Sequence, residues 1–381
     1  MWHVLDANSI WIREFAEALG EHADVRAWVA NMRLGGAFEK WERISRPARS
    51  QMWVHEFPLQ RGYARFPISQ LLDYGSVLAR RLSRQGNARC SPLVCTTPFY
   101  APVAEKWSGP VIYYQTDLTV EYHGVNKQTV REMDRRMCRV AAAVCPNSAR
   151  IREYLIHEAG CEARKITVVP NATRAENVAD RPLLSAGPLP PDVAGLSRPV
   201  AGVIGNMGGN VDWELVSGIV ARTPWLSWIF VGPVSDQVGD ARQNRCRQQL
   251  LRHGGRVRFI GPRPYDSLQQ YAQSFDVALL PYLKREPTYS GSSTRFYEHL
   301  AACRPMLATR GFEELLHKEP LLRLGDTAAE FVAHLERLRD NQFRDGEEGV
   351  RWAVSRSETW AHRALAVMAA LDGRLTAGAT A

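Results

Sequence analysis

The feature that most constrains this chain is an alternation of short apolar segments with longer amphipathic ones, run twice. In the first half the short segments are WHVLD (2–6), VRAWVA (25–30), MWVHEF (52–57), PLVCTT (92–97), VIYYQ (111–115), AAVCPN (142–147) and ITVVPN (166–171). They are rich in β-branched and aromatic residues and bounded by turn formers, so each reads as a strand. Between the first two, IWIREFAEALGEH (10–22) sets Ile12, Phe15, Ala16 and Leu19 on one helical face. Strands that alternate with helices imply parallel sheets joined by crossover helices.

A second series follows: VAGVIG (200–205), WIFVGP (228–233), VRFIG (257–261), VALLPY (277–282), PMLAT (305–309) and LLRLG (321–325). Its helices are VDWELVSGIVART, ARQNRCRQQLLRHG, YDSLQQYAQSF and STRFYEHLAA, with tail helices near 326–340 and 346–373. The stretch between the series, RPLLSAGPLPPDVAGLSRP (181–199), is rich in Pro and Gly and reads as a linker. With 381 residues the chain exceeds one ordinary core. The expected fold class is α/β, with a first domain at 1–180, the linker at 181–199, a second domain at 200–356 and a closing segment at 357–381. In open α/β sheets, ligands bind beyond the carboxyl ends of the strands, so site residues are sought there.

Bulk properties narrow the partners. The net charge of +8 suits an anion such as a nucleotide, a phosphorylated lipid or a membrane surface. The Arg residues are scattered, and no zinc spacing or RNA-binding aromatic signature occurs, so nucleic acid is not expected. No apolar run is long enough for a membrane span, and the N-terminal residues lack a signal-peptide pattern. Seven cysteines without a Cys-x-x-Cys suggest reduced thiols in a cytoplasmic protein.

The region 277–309 carries the most chemistry. A buried strand runs into LKREPTYSGSS, and a helix opens at Ser292, Ser293 and Thr294. Free N–H groups and the positive dipole end make such a helix start an anion site, and Arg295 adds a permanent cation. The plainer alternative is a Ser N-cap with a solvated Arg. Glu298 shares a helix face with Arg295 and can accept paired hydrogen bonds from vicinal hydroxyls, as in a ribose. The alternative is a surface ion pair.

In sequence, DVALLPY and STRFYEHLAACRPMLAT resemble the donor segment of GT-B glycosyltransferases, especially bacterial transferases of the teichuronic-acid and exopolysaccharide type. Arg295, Tyr297, Glu298, Leu300, Ala301 and Pro305 fall on that pattern. VIGNMGGNVDWELV, WIFVGP, VRFIGPRPYDSLQQYAQSF, VVPNA and SETWAHRALAVMAAL match neighbouring parts of it. The resemblance covers the second half well and the first half weakly. It implies two Rossmann-like domains facing a central cleft, with the final helix crossing back to the first. It also implies transfer of a hexosyl group from a UDP- or GDP-sugar to a glycan or lipid-linked acceptor. Neither a metal nor a further cofactor is expected, and the inner membrane face is a possible location.

By the same resemblance, the diphosphate falls to Gly205, Asn206, Ser292, Ser293, Thr294 and Arg295, and the ribose to Glu298. Gly232, Pro233, Pro262 and Asn171 line the base and cleft. Relatives carry an Asp at the place of Asp117, which follows the strand at 111–115. Asp117 and His123 are thus the candidates for catalysis, with a helix-capping Asp and an ordinary loop His as the alternatives. Three departures stand out: Ser290 replaces a common Glu, Asn206 a common Arg, and Cys303 the turn Gly. Trp11, Trp41, Trp53 and Trp107 are stacking candidates or core residues. A sugar-nucleotide epimerase and a non-catalytic binding protein on this fold are the other readings.

Overall fold

A computed structural model describes residues 1–31, 41–46, 50–58, 74–84, 90–234 and 240–379. The side chain of Trp41 and residues 380–381 of the expected closing segment lie outside these. The chain forms two compact units. One holds Met1–Asn171, Ser290–Ser292 and Trp360–Ala381, the other Ala172–Tyr289 and Ser293–Thr359.

The first unit is built on β1 (Trp2–Leu5), α1 (Ile10–Leu19), β2 (Val25–Asn31), β3 (Trp41–Arg46), β4 (Ser50–Pro58), α2 (Tyr74–Ser83), β5 (Leu93–Cys95), β6 (Val111–Tyr113), α3 (Lys127–Val140), β7 (Ala143–Val144) and α4 (Ala149–His157). The sheet order is β3-β4-β2-β1-β5-β6-β7. All pairs are parallel except β3 with β4. β3 was not expected, because WERISR does not alternate with a period of two. The expected strand at 166–171 does not form. Ile166 makes only an isolated bridge to Val144. Its would-be neighbour β7 runs into Pro146, which has no N–H to return to a ladder. The last helix of the chain, Trp360–Ala379, belongs to this unit. Its Arg363 donates to the carbonyls of Pro170 and Asn171, at 3.0 and 3.2 Å.

Under this sheet lies a buried polar knot. The Asp134 carboxylate, on α3, accepts from the hydroxyls of Tyr113 at 2.6 Å and Tyr154 at 2.7 Å. Burial pushes its pKa up to about 7, against the pull of both hydroxyls. Each hydroxyl left unpaired inside costs roughly 1–3 kcal/mol. Asp134→Ala is therefore expected to lower stability by about 3 kcal/mol. Thermal and urea melts of Asp134→Ala beside Tyr154→Phe check this, and the single tyrosine change should cost distinctly less.

The second unit has β8 (Val200–Ile204), α5 (Trp213–Arg222), β9 (Ser227–Val231), α6 (Ala241–Leu251), β10 (Val257–Gly261), α7 (Leu268–Ser274), β11 (Val277–Leu280), α8 (Thr294–Ala301), β12 (Met306–Ala308), β13 (Arg323–Leu324), α9 (Ala328–Asp340) and α10 (Glu348–Ser355). Its six strands run in the order β10-β9-β8-β11-β12-β13, all parallel. All five residues of β8 are buried, as both faces of a parallel sheet require. Side-chain caps fix the helix starts: Asp212 accepts from Leu215 N–H at 3.0 Å, Asp240 from Gln243 N–H at 2.9 Å, and Thr327 from Glu330 N–H at 3.2 Å. Cys303, at the turn position that relatives give to Gly, has φ 58°, so the left-handed turn is kept at some backbone cost.

Two expectations shift here. The division between the units falls after Asn171, ahead of 181–199, and that stretch packs on the second unit. Leu183 O accepts from Arg304, and the Asp192 carboxylate accepts from Tyr271 at 2.7 Å. The tail helix expected over 346–373 is broken into α10 and Trp360–Ala379. Thr173 N–H binds Glu358 O at 3.1 Å and Thr173 bridges Thr359, which draws the chain out of helix where it passes from one unit to the other.

Candidate functional site

Strand order locates the crevice in each sheet. In the second unit, connections leave β8 toward β9 on one side and reach β11 on the other, so the switch point lies between β8 and β11. Gly205 follows β8 with φ 118°, and Gly232 follows β9 with φ 143°. Both conformations favour glycine, and both positions are crowded. A Cβ on Gly232 would stand 1.8 Å from Gly205 O, and one on Gly205 would stand 1.8 Å from the Nε of Arg295. The absent side chains let Arg295 lie on bare backbone.

Arg295 thus reaches the switch point from the first turn of α8. Its Nη1 donates to Tyr282 Oη at 3.0 Å and its Nη2 to Asn206 O at 3.2 Å. Tyr282 follows β11 and Asn206 follows Gly205, so the guanidinium bridges the two strand ends. Its carbon sits 5.2 Å from the centre of the Tyr282 ring. Asn206 contributes its carbonyl to holding Arg295, where its place in the pattern had suggested a phosphate contact. Pro233 O accepts from Met207 N–H at 2.8 Å, which ties the ends of β8 and β9. Pro262 is exposed just past β10, on the same edge of the sheet.

The helix start itself differs from expectation. Ser293 caps α8, its Oγ accepting from Phe296 N–H at 3.4 Å. Its own N–H is not open to a diphosphate: Glu314 accepts it at 2.9 Å. The same carboxylate accepts from the Tyr297 hydroxyl. An acid placed against a helix N-terminus is favoured by the dipole, so Glu314 anchors α8 in the register that aims Arg295. Glu314 lies 17 residues beyond Tyr297 in a 3₁₀ segment, where no sequence pattern marks it. Thr294 is half-buried and Glu298 is 6% exposed, both on α8.

Ser292 and Asn171, expected on different parts of a cleft, are partners within the first unit. Asn171 N–H donates to Ser292 Oγ at 3.0 Å, and its side-chain amide donates to Ser292 O at 2.7 Å. Ser148 Oγ donates to Ser290 O at 2.5 Å. Ser290, where relatives carry a Glu, is fully buried, a poor place for a carboxylate.

The first unit has its own switch point, between β1 and β5. Asp6 follows β1 there, with φ 62°, and Thr96 follows β5. Thr96 Oγ1 lies 3.4 Å from the Asp6 carboxylate. Asp117 stands just past β6, and the Tyr122 hydroxyl donates to it. Burial first, and then the charge of Asp6, raise the Asp117 pKa to about 6. Burial does the same to Asp6, to about 6. Asp117 thus sits at the strand ends as expected. His123 does not join it: it is exposed in the turn, and its neighbour Tyr122 makes the contact. Asp6 and Tyr122 were missed, although Asp6 ends the WHVLD segment, where a carboxyl-edge residue is to be sought. Trp107 is core, its indole N–H on Ser91 O at 2.9 Å, and Trp53 lies under Arg26.

Among the described residues no helix is long and apolar enough to cross a membrane. Residues 216–341 match the family model described as glycosyl transferases group 1. A protein of Bacillus subtilis (strain 168), TuaH, described as a teichuronic acid biosynthesis glycosyltransferase, is 20% identical over 68% of this chain and 62% of its own length. The chain thus spans under two thirds of that relative. Among solved structures, sucrose-phosphate synthase of Thermosynechococcus elongatus superposes with a TM-score of 0.72 at 14% identity, covering 99% of each chain. HepE of Anabaena, solved with UDP and glucose, gives 0.66 at 14% identity over 100% of this chain and 99% of its own. The chain has the GT-B type of fold, two Rossmann-like units, and its match to the glycosyl transferases group 1 model lies in the second of them.

Proposed function

We propose that this protein is a glycosyltransferase that moves a sugar from a UDP-sugar to an acceptor hydroxyl. The observation that carries this reading is Arg295 laid across Gly205 at the β8–β11 switch point. A permanent cation on bare backbone, at the carboxyl edge of a parallel sheet, suits the diphosphate of a leaving nucleotide. Leaving-group charge grows in the transition state, and a fixed guanidinium stabilises it without reorganisation. Gly205 and Gly232 let the phosphates approach the strand ends, and Glu298 takes the ribose hydroxyls. UDP is chosen because HepE and an Escherichia coli trehalose-6-phosphate protein were solved with UDP, or UDP-2-fluoro glucose.

Asp117 is the proposed base for the acceptor hydroxyl, with Asp6 beside it. A surface polysaccharide or its lipid-linked precursor is the proposed acceptor, on the strength of the TuaH likeness, and the positive charge of the chain suits docking at an anionic membrane face. Charge stabilisation by Arg295 supports transfer without a metal.

The test is calorimetric titration of UDP, GDP and ADP, followed by turnover of UDP-glucose and UDP-N-acetylglucosamine with and without EDTA. UDP is expected to bind at least tenfold more tightly than ADP, and EDTA to leave turnover unchanged. UDP binding without release of UDP from any sugar donor would favour a non-catalytic protein. Failure of all three nucleotides to bind would remove the reading.

A further inference from the structure

The second unit has a concavity at the other edge of its sheet, where β12 and β13 begin. The chain enters β12 through Pro305 and Met306 and enters β13 at Arg323, while α9 covers them with Leu338. These residues bound a cavity of about 200 Å³. Met306, Leu307 and Leu338 are buried and make an apolar floor. The rim is basic: Arg323, His334 and Arg337 face the cavity, with Asn341 just past the end of α9.

The charges on this rim are unanswered. Among the described residues neither Arg323 nor Arg337 forms an ion pair, and Arg337 spends only its Nε, on Ala333 O at 3.3 Å. The one carboxylate on the wall, Asp345, is engaged by the fully buried Arg351, at 2.9 Å for Nη1 to Oδ1. Burial lowers the His334 pKa, and the charges of Arg337 and Arg323 lower it further, against the backbone hydrogen bond with Leu324 and the charge of Glu330, whose carboxylate accepts from Asp326 N–H. Two guanidinium forks over an apolar floor match a phosphate carried on a small organic body.

We propose that this cavity binds a small phosphate monoester, its phosphate on Arg323 and Arg337 and its organic part on Met306 and Leu338. It lies at the amino edge of the sheet, opposite the strand ends that carry Arg295, and does not depend on the proposed transferase activity. The ligand arms are phenyl phosphate and inorganic phosphate, titrated by calorimetry against the full chain. The proteins are wild type, Arg295→Ala and the double variant Arg323→Gln/Arg337→Gln. Phenyl phosphate is expected to bind wild type and Arg295→Ala within twofold of each other, and more tightly than inorganic phosphate. The double variant should bind it at least tenfold more weakly, yet bind UDP within twofold of wild type and melt at the same temperature. A double variant with unchanged phenyl phosphate affinity overturns the proposal, as does loss of binding in Arg295→Ala alone. Vesicles containing phosphatidic acid separate the sources. Pelleting that the double variant loses assigns the ester to a lipid headgroup, absence of pelleting assigns it to a free metabolite, and both support the site.

Discussion

Arg295→Ala is expected to lower kcat/KM for a UDP-sugar by about 100- to 1,000-fold, the range for removing one fixed donor from a developing negative charge. UDP affinity should fall by a smaller factor, because part of the interaction is made only in the transition state. The stability cost should be slight. The guanidinium lies at a strand edge and its structural bonds are two, to Tyr282 Oη and Asn206 O. Arg295→Lys separates charge from shape: it keeps the cation and loses the fork that spans β8 and β11. It should recover part of the binding and little of the rate. Equal kcat/KM in wild type and Arg295→Ala would show that the sugar nucleotide is not held at this switch point. Gly205→Ala gives an independent check. Its Cβ would occupy the place of the Arg295 Nε, 1.8 Å away, so the variant should reproduce the loss seen with Arg295→Ala while Arg295 remains.

Much of this fold was legible because parallel strands buried on both faces leave continuous apolar runs. VAGVI, SWIFV and VALL are buried throughout, and their ends could be read to within two residues. What was not legible is instructive. WERISR has no strand period, so β3 is known only from its pairing with β4. The break at 356–359 comes from a contact with Thr173, about 185 residues away in sequence, and local propensity cannot report it. At the candidate site, Arg295 was readable from its place at the opening of a helix, whereas Gly205, which closes a strand, came from the resemblance. The fate of the neighbouring N–H groups was not. Ser293 N–H is taken by Glu314, and the amide of Asn171 by Ser292, and both are tertiary pairings. Asp6 was readable in principle. It was absorbed into the first strand, whereas its φ of 62° places it past the strand, turned out of extended backbone.

Asp117→Asn is expected to abolish transfer to the acceptor, by about 100-fold or more if it serves as general base, while leaving UDP affinity within twofold. The pH profile carries the stronger prediction. Burial raises the pKa of Asp117 and of Asp6 to about 6, and the charge of Asp6 adds to the rise at Asp117. A base must be ionised, and wild-type kcat/KM should therefore rise with pH through about 6 and level off above it. Residual activity in Asp117→Asn should lack that limb. Asp6→Asn removes the neighbouring charge and should move the limb to lower pH, because the charge of Asp6 raises the Asp117 pKa. Stability runs the other way. The folded-state pKa of Asp117 lies above the ordinary carboxylate value, so the native state holds the proton more tightly than the unfolded chain. Its contribution is favourable below about pH 4 and is lost as pH rises through 6. Asp117→Asn removes the cost of the buried charge, up to about 3 kcal/mol for a shift of this size. The inactive variant should then melt higher than wild type at pH 8 and close to it at pH 4. A variant that loses activity and also melts lower at pH 8 would mark Asp117 as a structural cap of its loop, whose carboxylate is needed to hold Tyr122 rather than to take a proton.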